Sequence, residues 1–245
     1  MSPLHAMGGR LPNDSSRRSF ARTHIGKVRL LNEDRYLEAP EHGLWAVADG
    51  MGGHDAGDVA ATMTVRALAA LCQSPTPLDT DAISRALRYV NADIHAHMTQ
   101  RGLRGGCTIA ALWLSQAHAH IFWAGDSRVY RSRNGHLERL TRDHSVVQQL
   151  LDAGALSAEQ AARHPQTNVI TRALGVDEGV DIDLSTTDIR SGDRFLLCSD
   201  GITGELDDTQ LAGFMREQPA EIMKMIMTAA LAAGGRDNLT LIMVG

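Results

Sequence analysis

Four aspartates stand where apolar runs meet tight-turn residues. Asp49 follows Leu44-Trp45-Ala46-Val47-Ala48, Asp126 follows Ile121-Phe122-Trp123-Ala124-Gly125, Asp200 follows Phe195-Leu196-Leu197-Cys198-Ser199, and Asp237 lies in Gly235-Arg236-Asp237-Asn238. A carboxylate at the end of a buried strand has lost much of its water, and carboxylates gathered there repel one another. A hard divalent cation with oxygen ligands relieves both costs. The pattern therefore points to a metal site assembled from distant segments. Gly50, Gly52 and Gly53 let the chain turn sharply after Asp49, so the Gly50 carbonyl can reach a cation and a phosphate can approach closely. Upstream, Arg29-Leu30-Leu31-Asn32-Glu33-Asp34 offers a guanidinium fork matched to phosphate oxygens, with Glu33 and Asp34 placed to orient metal-bound waters. Taken singly, each segment also reads as something plainer: a solvated turn at 29–34, a strand-to-helix turn with an aspartate cap at Asp49, and ordinary turns at Asp126, Asp200 and Asp237. Five such motifs arising as five independent turns is improbable.

The elements that must position these residues follow from hydrophobic periodicity. Residues 35–37 and 44–48 read as strands around a Pro40–Gly43 turn. Residues 55–72 read as a helix with Val59, Met63, Ala67, Leu68 and Leu71 on one face. In 81–100, Ile83, Leu87, Val90, Ile94 and Met98 recur at helical spacing. Residues 108–114, 117–124, 127–133 and 137–140 form a strand-rich block, and Asn134-Gly135 is a strong hairpin signal. Residues 145–153 and 158–163 look helical, 193–199 a buried strand, 219–233 a Met- and Ala-rich helix, and 239–244 a closing strand. Helices group with helices and strands run in meanders, which predicts antiparallel sheets with helices outside rather than a doubly wound parallel sheet. The first 19 residues are polar, lack an apolar signal core, and read as a disordered lead-in.

Composition narrows the function. The chain has 245 residues, 43% of them hydrophobic and 22% charged, and a net charge of -5. That argues against a nucleic-acid partner, which selects a basic face. No run approaches the roughly 20 apolar residues that span a bilayer. Three cysteines without CxxC spacing point away from a disulfide framework or zinc site and fit a reducing cytoplasm. Cys107 and Cys198 read as packing residues.

The motifs, in this order, resemble the bacterial members of the metal-dependent protein serine/threonine phosphatases of the PP2C class (the PPM family). The resemblance runs over essentially residues 27–244. It rests on Arg29-x-x-Asn32-Glu33-Asp34, Asp49-Gly50-Met51-Gly52-Gly53-His54, Gly106-Cys107-Thr108, Gly125-Asp126-Ser127-Arg128, Asp143-His144-Ser145, His164-Pro165, Leu174-Gly175, Ser199-Asp200-Gly201 and Arg236-Asp237-Asn238. It implies an α+β fold, a four-layer α-β-β-α sandwich of two central antiparallel sheets flanked by antiparallel helices. Residues 20–245 would form a single domain with a flap at about 143–174. Asp49 would bridge two Mn²⁺ or Mg²⁺ ions with the Gly50 carbonyl on one, and Asp200 and Asp237 would complete the other. Asp126 with Asp200 matches the ligands of a third ion, Arg29 the phosphate-binding arginine, and Glu33 and Asp34 the carboxylates that hold metal-bound waters. Two ions roughly 3.5–4 Å apart hold a bridging hydroxide for in-line attack, with no covalent phosphoenzyme.

Two departures stand out. Eukaryotic members place a histidine directly after the Asp-Gly pair, where this chain has Met51. A proton donor to the leaving group is then His54, three residues on, or a metal-bound water. Relatives also show Gly-Thr-Thr where this chain has Gly106-Cys107-Thr108. The implied partners are phosphorylated proteins, among them a bacterial Ser/Thr kinase and its substrates, acted on by a cytoplasmic monomer. Two alternatives remain: an inactive phosphatase-fold binding module, and a phosphatase of small phosphoesters.

Overall fold

The computed structural model describes residues 18–53, 55–161 and 163–245. The chain opens with strand β1 (Ser19–His24), then β2 (Arg35–Ala39), a one-turn 3-10 helix at Pro40–His42, β3 (Leu44–Ala48) and the short β4 (Gly50–Gly52). Helices α1 (Ala56–Cys72) and α2 (Thr80–Arg101) follow. Then come β5 (Gly105–Cys107), β6 (Ile109–Leu114), β7 (His118–Ala124), β8 (Arg128–Arg133) and β9 (His136–Arg139). Short helices α3 (Val146–Asp152) and α4 (Ala158–Ala161) lead to β10 (Asp183–Asp188) and β11 (Arg194–Cys198). Helices α5 (Asp200–Thr203), α6 (Asp208–Phe214) and α7 (Pro219–Ala233) precede the closing β12 (Leu239–Val244).

Two five-stranded sheets result, ordered β1-β12-β11-β8-β9 and β10-β7-β6-β3-β2. Every pairing is antiparallel. The facing sides of the sheets share one core of Trp45, Val47, Ala110, Leu112, Ile121, Val129, Phe195, Leu197 and Ile242. The outer side of the β3 sheet packs under α1 and α2, through Leu44, Ala46, Ile109 and Phe122 against Leu68, Ile83, Leu87 and Ile94. The outer side of the β11 sheet packs under α5, α6 and α7, through Leu196, Leu241 and Met243 against Ile202, Leu211, Ile222 and Ile226. This is the four-layer α-β-β-α order. It explains the continuous apolar runs: β3 and β12 are covered on both faces, so every residue of each is buried. Each large aliphatic side chain enclosed this way contributes about 1.5–3 kcal/mol.

Local sequence accounts for the boundaries. Helix α2 starts where the Asp79 carboxylate accepts from Ala82 N–H at 2.6 Å, and it stops at left-handed Gly102. At the β8–β9 turn, Asn134 and Gly135 have φ of 53° and 78°, the two positive values a two-residue hairpin requires.

Two expectations are corrected, and one strand carries no clear signal in the sequence. Ser19 is not part of a lead-in: it opens β1 and pairs with Val244, while Arg18 exchanges backbone hydrogen bonds with Gly245. Residues 1–17 lie outside the described residues. The deepest face of α1 is Ala56, Gly57, Ala60, Ala61, Thr64 and Leu68, with Val59, Met63, Ala67 and Leu71 only partly buried beside it. Small residues let this helix lie directly on β4 and β5; a Cβ on Gly105 would come within 2.5 Å of the Ala56 Cβ. Strand β10 was also not anticipated. It is a sheet edge with one face in solvent, and its polar Asp-Leu-Ser-Thr-Thr-Asp sequence carries little apolar signal.

Candidate active site

Antiparallel pairing brings the functional segments to one end of the sandwich. The register sets His24 opposite Leu239, Arg35 opposite Ala48, Ile109 opposite Ala124, and Cys198 opposite both Arg128 and Leu241. The connections leaving that end are therefore 25–34, 49–55, 125–127, 199–200 and 235–238. These contain all the acids singled out by sequence. Asp126 sits where the chain crosses from β7 in one sheet to β8 in the other, and Gly125 makes that crossing with φ of 112°.

The carboxylates meet there. Asp49 is half-buried; desolvation first, then the charges of Asp34, Asp200 and Asp126, hold its carboxyl far above the usual range. Burial, followed by Asp200 and Asp143, pushes Asp126 up to about 8 against the opposing pull of Arg128. Burial and the neighbouring Asp237 raise Asp200. Asp34 is lifted to about 7 by burial, with Asp200 and Asp237 adding to it. Its Oδ2 accepts from the Ser199 hydroxyl at 2.8 Å, whereas its buried Oδ1 has no hydrogen-bond partner. The Asp237 side chain is 36% exposed, and its Oδ2 accepts from Arg29 Nη2 at 2.6 Å. That bond, and the charges of Asp237, Asp200 and Asp49, raise the Arg29 pKa despite some desolvation.

Backbone and hydroxyl groups fix the cluster. Thr108 N–H donates to Asp49 O at 2.8 Å, and Asp49 N–H to Thr108 Oγ1 at 3.2 Å. The Ser127 and Thr108 hydroxyls are 2.7 Å apart. Asn238 ties three segments together: Oδ1 accepts from Glu33 N–H at 2.8 Å, and Nδ2 donates to Ile25 O and Leu31 O at 3.0 and 2.9 Å. A Cβ on Gly50 would fall 2.4 Å from Gly57 O and 2.7 Å from Glu33 O, so only glycine lets β4 run this close to α1. Glu33 does something the sequence did not announce. Burial raises its pKa, and the backbone N–H of Asp58, the charge of Arg29 and the backbone N–H of Gly57 offset part of that rise; its Oε1 lies 2.7 Å from where a Cβ on Gly57 would stand. It thus sits on the N-terminus of α1, where the helix dipole favours an anion. Gly57, Thr108 and Ser199 had no assigned role from sequence; only the Ser-Asp-Gly and Gly-Cys-Thr motifs hinted at the last two. His54 lies outside the described residues.

Neither nearby thiol is a nucleophile candidate. Cys107 is enclosed against Thr64, and Cys198 is enclosed in β11; burial pushes each thiol up to about 12. Beside the cluster, Arg128 grips Asp143 through Nε and Nη2, at 3.0 and 2.6 Å. Gly125 N–H donates to His144 Nδ1 at 3.1 Å. The segment these residues begin ends at Leu174, which bridges to Cys107.

Among the described residues, no three Asp, Glu, His or Cys side chains close on one point as a preformed cage would. The donor set nevertheless fits a cation that keeps much of its water, the habit of Mg²⁺ and similar ions. All its donors are oxygen, they repel one another in the absence of a cation, and one buried Asp34 oxygen lacks any partner. Two-metal hydrolytic sites, those of phosphatases among them, draw on oxygen donors of this kind.

Comparison with known proteins agrees. Residues 22–234 match the protein phosphatase 2C family. The serine/threonine phosphatase stp of Listeria monocytogenes is 36% identical over 235 residues, covering 91% of this chain and 93% of the relative. The serine/threonine protein phosphatase PstP of Mycobacterium tuberculosis is 38% identical over 92% of this chain and 44% of its own length. Among solved structures, the PstP catalytic domain in complex with two manganese ions superposes with a TM-score of 0.85 at 34% identity, covering 93% of this chain and 97% of that one. PppA, a regulatory component of T6SS in Pseudomonas aeruginosa, gives 0.84 at 38% identity, covering 93% and 96%. The chain belongs to the protein phosphatase 2C family and is a metal-dependent serine/threonine protein phosphatase. Among the described residues no helix is long and apolar enough to cross a membrane.

Proposed function

We propose that this phosphatase transfers the phosphoryl group of phosphoserine and phosphothreonine directly to water, with no covalent enzyme intermediate. The carrying observation is the meeting of carboxylates from separate segments in one seam, with Asp34 buried and Asp49 and Asp200 half-buried, each raised by desolvation and by its neighbours, beside a half-exposed arginine. In this reading Asp49, the Gly50 carbonyl, Asp200 and Asp237 hold two Mn²⁺ or Mg²⁺ ions, and Asp126 with Asp200 holds a third. Bound ions supply Lewis acidity and lower the pKa of water. Arg29 presents its guanidinium fork to the phosphoryl oxygens. Asp34, oriented by Ser199, keeps a free oxygen for an ordered water. Glu33 fixes the start of α1 and so the position of Gly50. Residues 18–245 act as one domain, in which 143–174 form a flap anchored by the Arg128–Asp143 pair at its start and the Leu174–Cys107 bridge at its end. Opposition to a bacterial Ser/Thr kinase rests on the family alone.

The test is hydrolysis of a phosphothreonine peptide with Mn²⁺, with excess chelator, and by Asp237→Asn. The expected result is turnover only with the ion and a fall of about a hundredfold or more in the variant. Metal-independent turnover, or a fully active Asp237→Asn enzyme, would sink the assignment.

A further inference from the structure

We propose that the apolar strip on either side of Arg29 (Val28, Leu30 and Leu31) is the surface on which a substrate phosphoprotein lays the apolar side chains next to its phosphorylated residue. This rests on the phosphatase reading above, with Arg29 as the phosphate-binding group. The strip is unusual for this molecule. Leu30 is 92% exposed, Val28 64% and Leu31 55%, and with Ile25 they make four of the ten exposed large hydrophobic side chains among the described residues, all within seven positions. Scattered exposed leucines need no explanation, but a cluster beside a site does.

The segment does not expose these side chains through lack of anchoring. Asn238 Nδ2 holds Ile25 O and Leu31 O, and Lys27 N–H donates to Gly235 O at 2.7 Å. The backbone is tied to the β12 connection at both ends of the strip while its apolar side chains face outward. Arg29 lies inside the strip. A phosphorylated residue engaging its guanidinium must carry its sequence neighbours, spaced about 3.3 Å apart in an extended chain, across Val28 and Leu30. The phosphoryl group is common to every substrate, so these contacts can discriminate among proteins.

Two phosphothreonine peptides test this, one with leucine and one with serine on both sides of the phosphothreonine. p-Nitrophenyl phosphate serves as a substrate with no flanking residues, and all are assayed with Mn²⁺. The wild type is expected to prefer the leucine peptide by about tenfold in kcat/KM. Leu30→Ser should abolish that preference through KM, leaving the serine peptide and p-nitrophenyl phosphate within about twofold, while Leu30→Met should retain it. Equal turnover of the two peptides by the wild type overturns the proposal. So does an equal loss on all three substrates in Leu30→Ser, which would mark a structural role, or a change of oligomeric state in that variant, which would mark a self-association surface. No turnover of any substrate by the wild type overturns the phosphatase reading and the docking surface with it.

Discussion

Two acid-rich regions lie at opposite ends of the sandwich and behave in opposite ways. At the far ends of β8, β10 and β11, Arg133 binds Asp193 through Nε and Nη2 at 2.7 and 2.6 Å, and reaches Asp188 as well. Arg131 pairs with Glu138 and donates to Thr187 Oγ1. Bonds from Arg190 and Arg133 hold the Asp188 carboxyl down at about 2, and Asp193 is lowered despite its burial. At the seam, Asp34, Asp49, Asp126 and Asp200 are all raised. The first region carries its own cations, Arg131, Arg133 and Arg190. In the second, the described basic groups are Arg29 at the rim, on Asp237, and Arg128, committed to Asp143. A protein that only needed stability would have paired these acids or removed them. Leaving them crowded is a cost that a bound divalent ion offsets.

The widest separation between the regions is expected from asparagine substitution. Asp200→Asn should lower phosphatase activity by about a thousandfold, and it should raise the melting temperature of chelator-treated protein because one member of a repelling set is gone. Activity assays beside calorimetry check this; an active variant, or one that melts lower without metal, breaks the comparison. A moderate effect is expected at the other end. Asp193→Ala leaves the Arg133 fork without its best partner and should lower the melting temperature by about 3–6 °C, with kcat/KM unchanged within about twofold.

The smallest effect is in pH dependence, where the two regions carry opposite signs. Asp34 and Asp126 hold protons to about 7 and 8 when folded, against about 4 in an unfolded chain. Between those values the folded state binds more protons, so chelator-treated protein should lose stability as pH rises from about 4 to 8. Saturating Mn²⁺ should flatten or reverse that slope. Asp188 and Asp193 are depressed instead, so their contribution is present above about pH 4 and is lost as pH falls toward 2. Melting curves across pH, with and without Mn²⁺, would show both trends. A metal-free protein whose stability rises steadily from pH 4 to 8 contradicts the first.

The sequence by itself determined much of this. Ile83, Leu87, Val90, Ile94 and Met98 dictate α2 because only a helix puts that spacing on one face, and all five are buried. The runs at 44–48 and 239–244 dictate doubly covered strands, and Asn134-Gly135 dictates its hairpin. The acids at the strand ends were legible as a set because each interrupts an apolar run at a turn.

Tertiary structure alone decided what those acids touch. Asp34 faces Ser199 across 165 positions of sequence, and Arg29 faces Asp237 across 208. Glu33 became a cap for a helix it does not belong to. The deep face of α1 went to alanine and glycine, because closeness to β4 outweighed side-chain size. Edge strands β1 and β10 were illegible for a related reason: a strand covered on one face needs only half an apolar pattern, and its partner is chosen by the sheet. Periodicity is a local property and survives in the sequence. Burial, charge repulsion and close backbone approach exist only between segments, so they emerge only once the two sheets have brought their loops to the same end.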